Sequence, residues 1–160
     1  SPQGPSGPNS TFIITGEGVL VIDTGRNPAD ARKILAEIRH RTFRPIKFVI
    51  NTHYYGSHTF GNPVFRKEGA TIIGHKNVLR ALAGKRGEKE IERLQKQGTL
   101  GLDFASIMPP NLVFDKKLEL FFGGYHIQLI PQGHALTDGD ILVYLPDFKA
   151  AVSVPAPPAP

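Results

Sequence analysis

Two histidines in the stretch NTHYYGSHTFGN (residues 51–62) have the type and spacing that suit metal chemistry. His53 and His58 lie in a segment that is rich in glycine and polar residues. Neutral imidazole is a preferred ligand for zinc, so two neighbouring histidines can form the beginning of a metal site. Tyr55, which stands between them, is a poor zinc ligand because a phenol has a pKa of about 10. The sequence therefore raises the question of whether this loop holds a metal ion.

The composition is that of an ordinary globular domain and excludes some kinds of site. The chain has 160 residues, of which 40% are hydrophobic and 21% charged, and it is long enough to bury one core. It contains no cysteine, which excludes disulfides, thiolate nucleophiles and sulfur-bound metals. The net charge is +5, but the basic residues are interleaved with glutamates in helix-like segments. Nucleic acid is therefore a weak candidate partner.

The two ends of the chain are rich in proline and are predicted to lie outside the folded domain. Residues 1–8 are expected to be flexible, residues 9–154 to form one domain, and residues 155–160 to form a proline-rich tail. No apolar run approaches the ~18 residues of a membrane span, so no membrane partner is expected. The N-terminal stretch SPQGPSGPNS lacks the basic and apolar segments of a signal peptide, which makes the cytoplasm the default expectation.

The elements before the histidine loop are predicted to be a hairpin, a helix and a strand. Residues 11–15 and 19–22 are β-rich runs separated by a Gly-Glu-Gly turn. Asn27 and Pro28 suit the cap and the first residue of a helix whose apolar residues recur at helical spacing. Residues 46–51 form a short, nearly all-apolar strand, as expected for a sheet that is covered on both faces. This strand runs directly into the histidine loop.

The elements after the loop complete a mixed α/β pattern. Residues 70–75 are a second buried strand, and a helical region follows that is expected to break at Gly84 and Gly87 and to end at Gly98. Further strands are predicted around a hairpin at residues 123–124 and a turn at residues 146–147. This order favours an α/β fold with helices packed on sheet.

Four stretches resemble the metallo-β-lactamase fold hydrolases: GEGVLVIDTG, FVINTHYYGSHTFGN, PPNLVFDKKLELFFGGYHIQLI and GHALTDGDILVYLP. They occur in that family's order and span about residues 9–154. The resemblance implies an αββα sandwich, here with its second half truncated. It also implies one or two zinc ions, or less often iron, bound by a His-x-His-x-Asp-His loop. In such enzymes a metal-bound hydroxide attacks an ester, amide, thioester or phosphate bond.

Several metal-ligand positions of that family carry other residues in this chain. His53 and His58 match the first and last histidines of the loop, whereas Tyr55 replaces the second histidine and Ser57 replaces the aspartate. Leu136, in ALTDGD, stands where relatives have a further histidine. Where a later carboxylate ligand is expected, the chain reads VSVP at residues 152–155. By this resemblance, each metal would keep one of its expected side-chain ligands.

Two functional interpretations follow from this pattern. In the first, the metal centre is degraded, no cofactor is expected, and the domain is a catalytically inactive structural or binding module. Its pocket would then contain Tyr55, Leu136 and Asp23, the last in a supporting role implied by the resemblance.

In the second interpretation, the domain is a mononuclear hydrolase of ester, amide or phosphodiester bonds that uses one zinc ion, iron being less favoured. Its ligands would be His53, His58 and His134. His134 lies two residues before Leu136, so in an extended segment the two face the same side, about 6.6 Å apart. Ser57 or Asp140 would assist the bound water.

A partner is also predicted, because a truncated second sheet leaves apolar surface uncovered. Exposed apolar patches larger than a few hundred Å² usually mark an interface. We expect a homo-oligomer, such as a homodimer, or a partner protein to cover the sheet formed by residues 117–154.

Overall fold

The structure is a computed structural model that describes residues 10–98 and 102–153. The two proline-rich ends, predicted to be flexible or tail segments, lie outside the described residues.

The first sheet has five strands in the order β1-β2-β3-β4-β5. The antiparallel hairpin of β1 and β2 matches the sequence prediction, and β2 to β5 are parallel to one another. Parallel neighbours require crossover connections, and the helices supply them. The strands are β1 (Thr11–Ile14), β2 (Val19–Ile22), β3 (Ile46–Ile50), β4 (Thr71–His75) and β5 (Leu112–Phe114).

Within the described residues, five α-helices connect these strands. The first begins as predicted, with the Asn27 side chain accepting a hydrogen bond from the Asp30 amide and with Pro28 as its first residue. The histidine loop was predicted without regular structure, but it continues into two short helices. The helices are α1 (Pro28–Arg41), α2 (Gly56–Thr59), α3 (Asn62–Lys67), α4 (Lys76–Leu82) and α5 (Lys85–Lys96).

The predicted break at Gly87 is wrong, whereas the break at Gly84 is confirmed. Gly84 is the N-terminal cap of α5, and Gly87 lies inside that helix. A Cβ at position 87 would come within 2.8 Å of the Leu82 carbonyl oxygen, so Gly87 allows α4 and α5 to approach closely. Gly98 follows the end of α5 with a φ of +80°, the conformation expected of a C-terminal glycine.

The second sheet is an antiparallel meander of four strands in the order β6-β7-β8-β9. Gly123 and Gly124 form the predicted hairpin turn, with φ angles of 58° and 84°. A short 3-10 turn at Pro146–Phe148 joins the last two strands. The strands are β6 (Leu118–Phe122), β7 (Tyr125–Pro131), β8 (Ile141–Leu145) and β9 (Ala150–Val152).

The core has one apolar layer between the two sheets and another between the first sheet and the helices. Neighbouring residues of β3 serve both layers, since Ile50 packs with Leu129 and Ile127 of the second sheet, whereas Val49 packs with Ile38 of α1. This two-sided burial explains why β3 is almost wholly apolar. The layer of helices, the first sheet and the second sheet are the first three layers of the predicted sandwich.

The outer face of the second sheet is open among the described residues. Half-buried and exposed residues alternate along the first four positions of β6, buried and half-buried residues alternate along β8, and Phe121 is 72% exposed. The helices in residues 10–98 and 102–153 all lack the length and apolar character that crossing a bilayer requires.

Candidate functional site

The candidate site lies where β2 and β3 end. Parallel strands bring their carboxyl ends to the same edge of a sheet. Asp23 directly follows β2, and Thr52 and His53 follow β3 by two and three positions. His58 comes from the short helix α2, so the three elements meet at one point. Asp23 adopts a φ of 59°, a left-handed conformation that aspartate tolerates better than most residues.

The Asp23 carboxylate organises this site through three hydrogen bonds. The Thr52 amide donates to Oδ1 over 2.9 Å, and the Thr52 hydroxyl donates to Oδ2 over 2.7 Å. The Nδ1 atom of His58 donates to Oδ2 over 2.8 Å. Asp23 is only 4% exposed, so these protein donors take the place of water. The carboxylate therefore holds the loop and one imidazole together.

The same network indicates that Nδ1 carries a proton in both imidazole rings. The single hydroxyl proton of Thr52 goes to Asp23, so its oxygen accepts the Nδ1 proton of His53, at 2.9 Å. His58 also carries its proton on Nδ1, since its partner is a carboxylate. In its neutral form, each ring therefore keeps the Nε2 lone pair free. A carboxylate partner on the other ring nitrogen is the usual device that orients metal-binding histidines.

The environment of His53 keeps its imidazole neutral. Burial lowers its pKa most, and the nearby His58 lowers it further, whereas Asp23 and Asp140 oppose the shift, and the result is a pKa of about 4. The residue is 1% exposed, and its ring centroid lies 4.2 Å from that of His58. At neutral pH the lone pair on Nε2 is therefore present.

Three potential donors converge, but only two of them are free. Asp23, His53 and His58 each offer an atom within 4.8 Å of the other two. The oxygens of Asp23 already accept the three hydrogen bonds, two of them from Thr52. If these oxygens turned toward a cation, the buried donors would lose their acceptors, which costs about 1–3 kcal/mol for each donor. We therefore regard Asp23 as a positioning residue and the two imidazoles as the available ligands.

The substituted residues Tyr55 and Leu136 lie beside these imidazoles. The ring of Tyr55 packs edge-on against His53, with centroids 5.2 Å apart, and it is 44% exposed. Its hydroxyl lies 3.5 Å from the carbonyl oxygen of Leu136. Tyr55 thus covers part of the histidine pair, and the Leu136 side chain carries no donor atom.

The other predicted site residues are not among the three converging donors. Asp140 is buried and accepts hydrogen bonds from the Leu136 and Thr137 amides and from the Thr137 hydroxyl, so it shapes the turn before β8. His134 is exposed and is not one of the three converging donors. The roles of His134 as a ligand and of Asp140 and Ser57 as helpers of bound water stay predictions.

Sequence reasoning missed the residues that hold the loop in place. Asn51 and Asn62 exchange two hydrogen bonds of 3.0 and 2.8 Å, and Thr24 donates to Asn62 over 2.9 Å. Thr52 was also missed, although it links Asp23 to His53. The available signal was polar residues immediately after two apolar strands, since buried polar groups at such ends need partners.

Comparison with known proteins agrees with this architecture. The family described as the metallo-beta-lactamase superfamily matches residues 3–153. A linear primary-alkylsulfatase of Pseudomonas sp. (strain ATCC 19151) is 23% identical over 89% of this chain and 32% of its own. A metallo-beta-lactamase structure from Pontibacter korlensis has a TM-score of 0.67 at 18% identity, covering 88% of this chain and 56% of that one. A Cronobacter sakazakii metallo-beta-lactamase with an HARLDQ motif has a TM-score of 0.68 at 22% identity, covering 85% of this chain and 52% of that one. The chain spans about half the length of these solved structures, and it belongs to the metallo-β-lactamase superfamily.

Proposed function

We propose that this domain is a non-catalytic member of the superfamily that acts as a binding or structural module. The observation that carries the proposal is the number of free donors. Of the five ligand positions 53, 55, 57, 58 and 136, only two hold an imidazole, and the nearby carboxylates of Asp23 and Asp140 accept hydrogen bonds from the protein. The residues present do not fit the family's zinc centre.

Zinc chemistry explains why two imidazoles are too few. Catalytic zinc sites have three protein ligands and an open position for water. In this chain the residue at ligand position 55 is a tyrosine, and its ring packs edge-on against His53. His53 is itself only 1% exposed. A phenol with a pKa of about 10 is protonated at neutral pH and is a poor ligand for zinc.

The test combines metal analysis with activity measurements. The protein is purified without chelator, its zinc and iron content is measured, and β-lactam, ester and phosphodiester hydrolysis is assayed with added zinc. Sulfate esters join the panel because one similar protein is named an alkylsulfatase. We expect far less than one equivalent of metal and no turnover. One equivalent of metal that His53→Ala removes, together with turnover, would contradict the proposal.

A second candidate function is the mononuclear zinc hydrolase. It is favoured by the two adjacent imidazoles, which Thr52 and Asp23 orient through their Nδ1 atoms. It requires a third ligand, for which His134 is the candidate. The discriminating variant is His134→Ala, with His40→Ala as the matched control, because both histidines are exposed. Loss of zinc in the first variant alone would support this function, and no difference between the two would count against it.

We also propose that a second copy of the chain covers the open face of the second sheet as a homodimer. Phe121, 72% exposed, stacks on His126 with centroids 4.6 Å apart and planes at 6°. Light scattering at micromolar concentration tests the proposal. We expect a dimer that Phe121→Glu dissociates, whereas Phe43→Glu does not, although Phe43 is 90% exposed. A monomeric unmodified protein would contradict it.

A further inference from the structure

A cavity of about 770 Å³ opens beside the candidate metal site. It lies between the histidine loop and helix α5, and Tyr55 and Ser57 form part of its wall. Its volume is within the range of ~300–1,000 Å³ that is typical of small-molecule sites. The non-catalytic role proposed above assigns no ligand to this cavity.

The inner part of the cavity is apolar. Phe60 and Leu82 are 1% and 3% exposed, and Ala81 and Leu94 continue the same surface. These residues belong to the apolar cluster that packs α4 and α5 against the histidine loop. An aliphatic group placed here would be transferred out of water, which is favourable by about 0.8 kcal/mol for each buried CH₂ group.

The rim of the cavity is strongly basic. Five lining residues are cationic and one, Glu90, is acidic; the five are Arg26, Lys85, Arg86, Lys89 and Arg93. Arg93 forms an ion pair with Glu90 over 2.7 Å, and Arg26 forms one with Asp30 over 2.8 Å.

Three of these cations lack an acidic partner in the described part of the chain. Lys85 and Lys89 form no ion pair there, and Arg86 donates to the neutral Tyr54 hydroxyl over 2.7 Å. The sequence outside the described residues contains no aspartate or glutamate that could supply one. The rim therefore carries uncompensated positive charge above an apolar floor.

The position of two of these cations in α5 also favours an anion. Lys85 and Arg86 are the first two residues of this 12-residue helix, and its cap, Gly84, provides no side-chain hydrogen bond. The amino-terminal end of a helix carries partial positive charge, so cations are unfavourable there and anions are favourable. A bound anion would relieve this repulsion.

We propose that the cavity binds an amphipathic anion, with a single aliphatic chain on the apolar floor and an anionic headgroup at Lys85, Arg86 and Lys89. This binding goes beyond the proposed function because it names a ligand and a site for it, and it depends neither on catalysis nor on a metal. Its failure would therefore leave the non-catalytic role untouched, and metal binding would leave this inference untouched.

The experiment is calorimetric titration of the protein with decanoate in EDTA, below the concentration at which decanoate forms micelles. Butyrate carries the same charge on a much shorter chain, and decanol carries the ten-carbon chain without the charge. We expect decanoate to bind at least about tenfold more tightly than either, and its affinity to fall as salt is added. Equal affinity for butyrate or for decanol, or no binding of decanoate, would overturn the proposal.

Charge-reversed variants test the location of the site. Lys85→Glu with Lys89→Glu should weaken decanoate binding at least about tenfold. The control, Lys33→Glu with Lys96→Glu, changes the net charge equally at exposed residues outside the cavity and should bind decanoate normally. Circular dichroism checks that both double variants are folded. Equal affinities of the two double variants would overturn the assignment.

A membrane is the other possible source of an anionic headgroup with an aliphatic chain. Co-sedimentation with phosphatidylglycerol vesicles tests this source. Free decanoate binding without vesicle binding would support a cavity for a single free molecule. Vesicle binding without decanoate binding would contradict it.

Discussion

Removing the Asp23 carboxylate should destabilise the fold by an amount that follows from its three hydrogen bonds. In Asp23→Ala the buried Thr52 amide loses its acceptor entirely, which costs about 1–3 kcal/mol. The Thr52 hydroxyl can turn to His53, and His58, whose side chain is 19% exposed, can reach water, so these two losses are smaller. Alanine at a φ of 59° adds about 1–2 kcal/mol of backbone strain. The expected total is about 3–6 kcal/mol, a large share of the ~5–15 kcal/mol that stabilises a typical domain.

The variant Asp23→Asn separates the effect of the lost hydrogen bonds from the effect of backbone strain. Asparagine tolerates the same φ, and its carbonyl oxygen can accept from the Thr52 amide, but its NH₂ group faces donors. We expect a loss of about 1–2 kcal/mol. The control is Asp30→Ala, which removes an exposed ion pair with Arg26 and should cost about 1 kcal/mol or less.

Urea unfolding followed by circular dichroism measures these free energies. The order Asp23→Ala, Asp23→Asn, Asp30→Ala, from most to least destabilising, is the expected result. If Asp23→Ala proved no more harmful than Asp30→Ala, the reasoning that Asp23 organises the site would be refuted.

Three further predictions concern other parts of the fold. Because the pKa of His53 is lowered from 6.5 to about 4, the unfolded state binds more protons in this window, and stability should fall by up to about 3 kcal/mol as pH drops from 6.5 to 4. His53→Gln should reduce that pH slope in urea unfolding, and an unchanged slope would contradict the assignment. Gly61→Ala should lower the melting temperature, because its Cβ would lie 2.0 Å from the Thr24 carbonyl oxygen, whereas Gly16→Ala, with nothing within 4 Å, should not. Asn27→Ala removes the cap of α1 and should cost about 1 kcal/mol in urea unfolding, and no loss would argue against the cap.

The sequence predicted the elements whose signals are local. The cap at Asn27, the hairpin at residues 123–124 and the two-sided apolar strand 46–51 each depend on a few adjacent residues, and each is confirmed. Gly87 was assigned wrongly because a glycine that breaks a helix and one that permits close packing look alike in sequence. The packing partner, the Leu82 carbonyl oxygen, is known only from the folded chain.

The site could be predicted in composition but not in organisation. His53 and His58 were identified from their type and spacing, and the structure brings them together. The relay from His53 through Thr52 to Asp23 joins residues 29 and 30 positions apart, and nothing local in the sequence encodes it. The exposed position of His134 depends on how the turn capped by Asp140 is held, which is also a tertiary property.

The most direct measurement of the central claim is a calorimetric zinc titration of the unmodified chain beside a variant that regains the missing donors. That variant carries Tyr55→His, Ser57→Asp and Leu136→His, so that the oriented imidazoles gain three ligands. We expect the variant to bind zinc at least about a hundredfold more tightly than the unmodified chain, because zinc sites require three or four protein ligands. Stoichiometric zinc binding by the unmodified chain, with an affinity equal to that of the variant, would contradict the account.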